Sequence, residues 1–247
     1  MRPRISHTER TDLLAQAIDR HGPTPGPPFP CPYLPERMAR NVIVVPSPLA
    51  PGVYHSLMDL NFRRLGAIFY RPNCPACEEC RQVRVPVSEF RPSRAQRRCR
   101  GRNEELRVEI GPPAPTEEKR LLYQRYLASR HDGQMDGSPG EFYGFLYTST
   151  VSTVEISYRL GDRLVAVGVA DLEPEAMSAV YCYFDPDEPG RSLGVFNVLW
   201  MIEECRRRGI SYLYLGYYVR DCRRMNYKVI YRPCEILGPD GGWTQAE

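Results

Sequence analysis

The chain has 247 residues and a formal net charge of +3. That length allows one or two domains, and the charge is too small to bind a nucleic acid without local basic patches. No apolar run approaches the roughly 20 residues of a membrane helix. The segment Met1–Arg20 lacks the features of a secretory signal. We therefore expect a cytoplasmic protein whose nine cysteines are reduced thiols, free or metal-bound, rather than a disulfide framework.

The first 92 residues predict a small domain. Prolines crowd the segment His21–Pro35 and exclude a helix, so we expect an extended segment around Cys31. A strand, a helix and two further strands are predicted after it: Asn41–Val45, Tyr54–Leu65, Ala67–Tyr70 and Gln82–Val87.

Three cysteines at two-residue gaps, Cys74, Cys77 and Cys80, lie between the last two of these strands. Clustered thiols are typical of a metal or redox centre. A ferredoxin-type run needs a further cysteine at the position that Arg84 occupies. A bound metal or iron–sulfur centre and packed free thiols are therefore both open interpretations.

An arginine-rich stretch follows, with six arginines and no acidic residue from Arg91 to Arg102. Ser93 can cap a helix over Ser93–Leu106. Such a stretch is either a solvated face or a surface for a polyanion. The candidate contacts are Arg94, Arg97, Arg98, Arg100 and Arg102. Gly111–Pro115 reads as a linker, so the predicted division is 1–92, 93–115 and 116–247.

The last part predicts an α+β domain. A helix over Thr116–Arg130 precedes three strands, the helix Leu193–Arg208 closed by Gly209, and a last strand. The strands are Val151–Tyr158, Arg163–Ala170, Ala176–Phe184 and Ile210–Tyr217. Antiparallel strands that lead into a β-α-β crossover are the order of the Gcn5-related N-acetyltransferase (GNAT) fold. Phe196 replaces a small residue of the GNAT pyrophosphate loop, so we do not expect acetyl-coenzyme A as donor.

Several ordered motifs carry a family resemblance. They are Leu164–Asp171, Tyr183–Pro186, Ser192–Gly194, Gly216–Val219 and Met225–Lys228 in the C-terminal half, with Cys31–Tyr33, Tyr70–Cys74 and Gln96–Arg98 before them. In these motifs the chain resembles the aminoacyl-tRNA–protein transferase family. With its cysteine triplet it is most similar to the bacterial aspartate/glutamate leucyltransferase branch.

The resemblance implies transfer of leucine from Leu-tRNA to proteins that begin with Asp or Glu, which marks them for N-degron proteolysis. It implies a small cysteine-bearing domain, a GNAT-like domain, and no requirement for ATP or another cofactor. It also implies Cys31 as the remote fourth ligand of any metal at Cys74, Cys77 and Cys80, although Leu34 stands where eukaryotic relatives have a second cysteine. The alternatives are arginyl transfer from Arg-tRNA on the same scaffold and a non-catalytic tRNA-binding or metal-binding module.

The chemistry makes modest demands on the site. An aminoacyl ester is already activated and positioning alone supplies several kcal/mol, so we assign no catalytic residue. The arginines of the basic stretch become candidates for binding tRNA. Backbone N–H groups at a helix N-terminus suit a tRNA 3′ end or an oxyanion. The donor-site candidates are Ser192, Leu193, Gly194 and Phe196.

An acidic acceptor residue needs a cation. The candidates are Lys228, Arg71, Arg223 and Arg224. Lys228 comes first because it lies in a family motif, and the alternative interpretation of Lys228 is a solvated loop lysine.

Overall fold

A computed structural model describes residues 5–45, 49–130 and 137–246. The helices are α1 (His7–His21), α2 (Val53–Asp59), α3 (Arg94–Gly101), α4 (Glu117–Arg130), α5 (Pro139–Phe142), α6 (Leu193–Arg208) and α7 (Arg223–Asn226). The strands are β1 (Phe29–Pro30), β2 (Met38–Ala39), β3 (Asn41–Val44), β4 (Arg63–Leu65), β5 (Ile68–Pro72), β6 (Arg81–Pro86), β7 (Arg107–Gly111), β8 (Thr153–Leu160), β9 (Arg163–Leu172), β10 (Ala176–Phe184), β11 (Tyr212–Tyr218), β12 (Glu235–Leu237) and β13 (Trp243–Gln245).

An eight-stranded sheet forms the centre of the molecule, in the order β13-β12-β6-β11-β10-β9-β8-β7. Neighbouring strands are antiparallel except β10 and β11, which are parallel and joined by α6. This is the predicted antiparallel run followed by a β-α-β crossover, so the GNAT-like architecture is confirmed. The helix Leu193–Arg208 is also confirmed, and Gly209 ends it in the left-handed conformation with φ of 70°.

Apolar side chains pack in three clusters around the sheets. The largest joins α6 to the strands of the large sheet and to Cys99 of α3. A second joins α4 and α5 to β9 and β10. The third joins α2 and the small sheet β3-β5-β4 to Tyr214 of β11. The residues before position 92 and those after position 115 therefore pack into shared apolar clusters.

Strand β6 lies before residue 92 in sequence, yet it pairs with both β11 and β12 of the large sheet. The early part of the chain thus contributes a central strand to the sheet of the later part. The division at residues 92 and 115 stays a prediction. Among the described residues, no helix is long and apolar enough to cross a membrane.

The predicted helix Tyr54–Leu65 is wrong in its second half. Helix α2 ends at Asp59, because Asn61 adopts a left-handed φ of 66° and turns the chain into β4. Asparagine tolerates this conformation better than most residues. Helix α3 is likewise shorter than predicted and ends at Gly101. Helix α1 and strand β7 have no counterpart among the predicted elements, and β7 ends at the start of the predicted linker.

Candidate functional site

The central sheet opens between the parallel strands β10 and β11. Their ladder covers only three residues of each strand, Ala176–Ser178 and Tyr212–Tyr214. Beyond it, β10 shifts register against β9 between Ala179 and Tyr181, and β11 shifts against β6 just before Gly216. Irregularities of this kind bend a strand and interrupt its pairing. A gap therefore opens in the sheet.

The guanidinium group of Arg63, the first residue of β4, lies at this gap. Its Nη2 donates to the carbonyl oxygens of Ala179 at 3.2 Å and Val180 at 3.5 Å, and its central carbon lies 5.8 Å from the ring centroid of Tyr217. Gly216 has a φ of +79°, and a Cβ atom there would lie 1.2 Å from Nη1 of Arg63. Only glycine gives the guanidinium this position.

Lys228 lies close to the same strand. Only 6% of it is exposed, and its Nζ donates to the carbonyl oxygen of Tyr217 on β11. Burial, followed by the charge of Arg63, holds the pKa of Lys228 well below its ordinary value. The interpretation of Lys228 as a solvated loop lysine is therefore wrong. Within the part of the chain that the structure describes, neither Lys228 nor Arg63 pairs with a carboxylate.

The other predicted acceptor-binding cations lie elsewhere. Arg71 is half-buried, donates to the carbonyl oxygen of Leu60 at 3.4 Å and lies 4.8 Å from the ring centroid of Phe62. Arg223 and Arg224 are exposed on α7, and Arg224 donates to the carbonyl oxygen of Pro32 at 3.2 Å. They do not join Lys228 at the gap, and their role in binding the acceptor stays a prediction.

The predicted donor residues begin α6. Ser192 precedes the helix in a left-handed conformation, with φ of 54°, and is half-buried, as is Gly194. Leu193 and Phe196 are buried in the large core cluster, where the ring of Phe196 lies 5.6 Å from that of Tyr158. The structure therefore leaves Ser192 and Gly194 nearer the surface than the two apolar candidates.

The cysteines predicted as metal ligands come together in space. Cys31, Cys74, Cys77 and Cys80 all line one cavity of about 670 Å³. Burial, with repulsion from the other three thiols, raises the pKa of Cys80 to about 12. All nine cysteines are free thiols. Four sulfur ligands are a set that zinc or an iron–sulfur cluster takes. No three of these four sulfurs lie within 4.8 Å of one another, so a bound group would have to draw the thiols closer together.

Two hydrogen-bond donors from the segment that follows Cys31 contact the thiols. The backbone N–H of Leu34 donates to Sγ of Cys31 at 3.4 Å, and Nη1 of Arg37 donates to Sγ of Cys77 at 3.1 Å. Both donors would stabilise thiolates. The segment around Cys31, which the sequence analysis predicted as extended, thus carries groups suited to this cluster.

The arginine-rich helix presents its charges to solvent. Ser93 and Gln96 form a capping box at its start, and Nε2 of Gln96 donates to the carbonyl oxygen of Ile230 at 3.1 Å. Gln96 and Cys99 are the buried side chains of this helix. The five candidates for binding tRNA are all exposed: Arg94, Arg97, Arg98, Arg100 and Arg102. Two of these make local contacts, Arg97 with the carbonyl oxygen of Pro92 at 2.6 Å and Arg100 with Glu203 at 3.4 Å.

None of the histidines is predicted to be functional, yet the half-buried His7 and the buried His55 form a network. The rings of His7 and His55 stack at 3.9 Å, and Nε2 of His7 lies 2.7 Å from Asp59. These three residues have ligand atoms within 4.8 Å of one another. However, Nη1 of Arg84 lies 3.4 Å from the same carboxylate, which disfavours a cation there. The network joins α1 to α2.

Arg63 and Gly216 are the site residues that sequence reasoning missed. Gly216 lies within a family motif, which was a usable signal. Arg63 lies next to another arginine in a segment predicted to be helical, so nothing local marked it. The gap that gives Arg63 its position is formed by strands more than 100 residues away in sequence.

Comparison with known proteins agrees with the resemblance seen in the sequence. Residues 29–98 match the family description "Arginine-tRNA-protein transferase, N terminus", and residues 118–238 match "Arginine-tRNA-protein transferase, C terminus". A protein of Pseudomonas aeruginosa (strain LESB58) called aspartate/glutamate leucyltransferase is 44% identical over 213 residues, which cover 85% of this chain and 91% of that protein. A protein of the same name from Pseudomonas fluorescens (strain Pf0-1) has the same identity and coverage.

Among solved structures, FemX is similar with a TM-score of 0.49 and 7% identity, over 92% of this chain and 73% of that chain. L-PGS from Bacillus licheniformis is similar with a TM-score of 0.46 and 13% identity, over 67% of this chain and 51% of that one. Because relatives with well over a third of their residues identical align along most of its length, this chain belongs to the arginine-tRNA-protein transferase family and is a tRNA-dependent aminoacyltransferase.

Proposed function

We propose that this protein transfers leucine from Leu-tRNA to the N-terminal Asp or Glu of acceptor proteins, which creates an N-degron. The observation that carries the proposal is the near-full-length similarity to aspartate/glutamate leucyltransferases. The gap in the sheet supports it, because the gap holds two cations suited to an acidic acceptor residue.

The reaction requires positioning more than a strong base. The acceptor α-amine has a pKa of about 7.7–8.0, so roughly a tenth of it is neutral at pH 7. The neutral nitrogen attacks the ester carbonyl carbon, an amide C–N bond forms and the ester C–O bond breaks. The proton that nitrogen loses goes to the departing ribose oxygen. Alignment of the two reactants can supply several kcal/mol, and we propose that backbone N–H groups near Ser192 and Gly194 stabilise the oxyanion.

The exposed face of α3 is the surface that we propose for tRNA. Its arginines point into solvent while Gln96 and Cys99 anchor the helix to the rest of the protein. Arginine suits phosphate because its planar group donates two parallel hydrogen bonds. Aminoacyl-tRNAs are used in the cytoplasm, so we also propose a cytoplasmic location for the protein.

We further propose that Cys31, Cys74, Cys77 and Cys80 bind a metal ion or an iron–sulfur cluster, while the transfer step itself requires no cofactor. Support comes from their shared cavity and from the N–H donor at Cys31. The bound group would hold the surrounding loops together. Elemental analysis of anaerobically purified protein tests this, with Cys77→Ser expected to lose metal and Cys182→Ser to keep it. Active protein without metal would contradict the proposal.

A transfer assay tests the main proposal. Purified protein is mixed with labelled Leu-tRNA or Arg-tRNA and with peptides that begin with Asp, Glu or Ala. We expect leucine to enter the Asp and Glu peptides and not the Ala peptide. Incorporation of arginine instead would assign the chain to arginyl transfer, and no incorporation from either tRNA would favour a non-catalytic binding module.

A further inference from the structure

The gap between β10 and β11 contains an unbalanced positive charge. Arg63 and Lys228 lie against the same residue, Tyr217: the guanidinium carbon is 5.8 Å from its ring centroid and Nζ of Lys228 donates to its carbonyl oxygen. Among the described residues, both side chains donate to backbone carbonyl oxygens rather than to carboxylates. Two cations held away from water without an anion are costly. A fold that maintains this arrangement is poised for an anion that arrives from outside.

The arginine has donors left for such an anion. Its Nη2 contacts the carbonyl oxygens of Ala179 and Val180, and a guanidinium has more N–H groups than those two contacts use. The backbone of Gly216 packs against Nη1, because a Cβ atom there would lie 1.2 Å from it, so an incoming anion must reach the guanidinium from another side. A carboxylate is the anion whose shape matches the planar fork of arginine.

One cavity reaches the edge of the gap, although neither Arg63 nor Lys228 lines it. Tyr217, whose ring lies beneath the guanidinium of Arg63, lines the 670 Å³ cavity, and so does Tyr70, which pairs with Arg63 between β4 and β5. The hydroxyl of Tyr217 donates to the carbonyl oxygen of Asn61 at 2.9 Å, which fixes that ring at the boundary. The cavity thus leads from solvent to residues that touch Arg63.

We propose that Arg63, together with Lys228, binds the side-chain carboxylate of the acceptor's N-terminal residue and determines the preference for Asp and Glu. This inference rests on the proposed function. Of the two reactants, only the acceptor brings a carboxylate, because the leucyl group of Leu-tRNA carries an amine and an ester. Asn and Gln have nearly the same shape but no charge, so they leave both cations unpaired. Sites built for a charged or hydrogen-bonding partner reject analogues that lack it.

The test compares Arg63→Gln with Arg81→Gln, a change at an arginine that lines the neighbouring cavity and pairs with Glu78. For each variant, kcat/KM is measured with peptides that begin with Asp or Asn, together with the Kd for Leu-tRNA. We expect Arg63→Gln to lower kcat/KM for the Asp peptide by about 100-fold, to reduce the Asp/Asn discrimination by a similar factor and to leave the tRNA Kd within about twofold.

Lys228→Met provides a second test if Arg63→Gln does not fold, and the same loss of discrimination is expected. Equal losses for the Asp and Asn peptides, or a parallel loss of tRNA affinity, would overturn the proposal. So would a loss of discrimination in Arg81→Gln but not in Arg63→Gln. All variants are assayed with whichever aminoacyl-tRNA the wild type uses. A wild type that uses Arg-tRNA therefore overturns leucyl transfer without affecting the assignment of Arg63.

Discussion

Arg63 and Arg64 are neighbours on one short strand and have opposite environments. Arg64 donates from Nε and Nη2 to the two carboxylate oxygens of Asp171 at 2.7 and 2.8 Å, and both side chains are 0% exposed. Its Nη1 donates to the carbonyl oxygens of Gly66 and Thr148. Arg63 contacts backbone carbonyls and, within residues 5–45, 49–130 and 137–246, no carboxylate.

The difference teaches how to separate a structural charge from a functional one. The Arg64–Asp171 pair joins β4 to β9 and is complete within the protein, so no ligand is needed to balance it. Among the described residues the charge of Arg63 has no such partner, and a bound anion would balance it. The number of arginines in a buried region is therefore less informative than whether each has its partner.

The largest expected effect comes from breaking the complete pair. Asp171→Asn leaves the charge of Arg64 buried and uncompensated, which we expect to lower the free energy of unfolding by about 3–5 kcal/mol. Urea denaturation measures this value. Asp187→Asn is the matched control, because Asp187 pairs with Arg125 but is 79% exposed, and exposed pairs contribute about 0–1 kcal/mol. Equal losses in the two variants would contradict the structural role of Asp171.

A smaller loss is expected from filling the space that Arg63 occupies. Gly216→Ala adds a Cβ atom 1.2 Å from Nη1 of Arg63 at a φ of +79°, and we expect about 1–3 kcal/mol of destabilisation with a sharp drop in kcat/KM for acidic acceptors. Gly161→Ala is the control, since its φ is +59° but no atom lies within 4 Å of the added Cβ. It should cost about 1 kcal/mol and leave activity unchanged. If both variants lose activity equally, the clash with Arg63 is not the cause.

Solvated arginines extend the comparison beyond the buried pair. We expect Arg94→Gln and Arg98→Gln each to weaken tRNA binding a few-fold and to reduce the slope of log Kd against log salt by roughly 1, because each phosphate contact releases about one counterion. The KM for the acceptor peptide should not change. Arg20→Gln, a change at an exposed arginine on α1, should alter neither quantity. Unchanged salt slopes for the α3 variants would remove that helix from the tRNA surface.

Local signals predicted much of the fold. Neighbouring residues were enough to predict the cap at Ser93, the helix end at Gly209 and the limits of β10. The structure confirms all three. The end of α2 was missed because an asparagine, rather than a glycine or a proline, turns the chain. The position of β6 within the large sheet could not be predicted, because its partners β11 and β12 lie far along the chain.

The candidate site shows the same division between features that local sequence predicts and features that depend on distant strands. Lys228 and the four cysteines lie in motifs of a known family, so the sequence was enough to propose them. The burial of Lys228 and the position of Arg63 depend on two register shifts and a glycine on distant strands. Packing between remote elements creates this environment, and no local pattern records it.

The smallest expected effect concerns two acidic residues that lie two positions apart, Asp171 and Glu173. Within the described part of the chain, one is paired with an arginine and the other is not. Asp171 is paired directly with Arg64, whereas Glu173 accepts from the backbone N–H of Gly52. Burial outweighs the opposing charge of Arg10 and raises the pKa of Glu173 to about 7. A carboxyl whose pKa is higher in the folded than in the unfolded protein binds its proton more tightly when folded. The folded state is therefore favoured at low pH, and this contribution is lost as the pH rises from about 4.5 to 7.

Glu173→Gln removes the titrating group and keeps an oxygen that can accept from Gly52. We expect the variant to be more stable than the wild type at pH 8 by on the order of 1 kcal/mol, after allowance for solvent screening, and to differ little at pH 4.5. Thermal unfolding between pH 4.5 and 8 measures the difference. His55 titrates in the opposite sense, because burial lowers its pKa to about 4, but it contributes equally to both proteins and cancels. If the difference in stability between the two proteins does not grow with pH, the pKa of Glu173 is not raised in the folded protein.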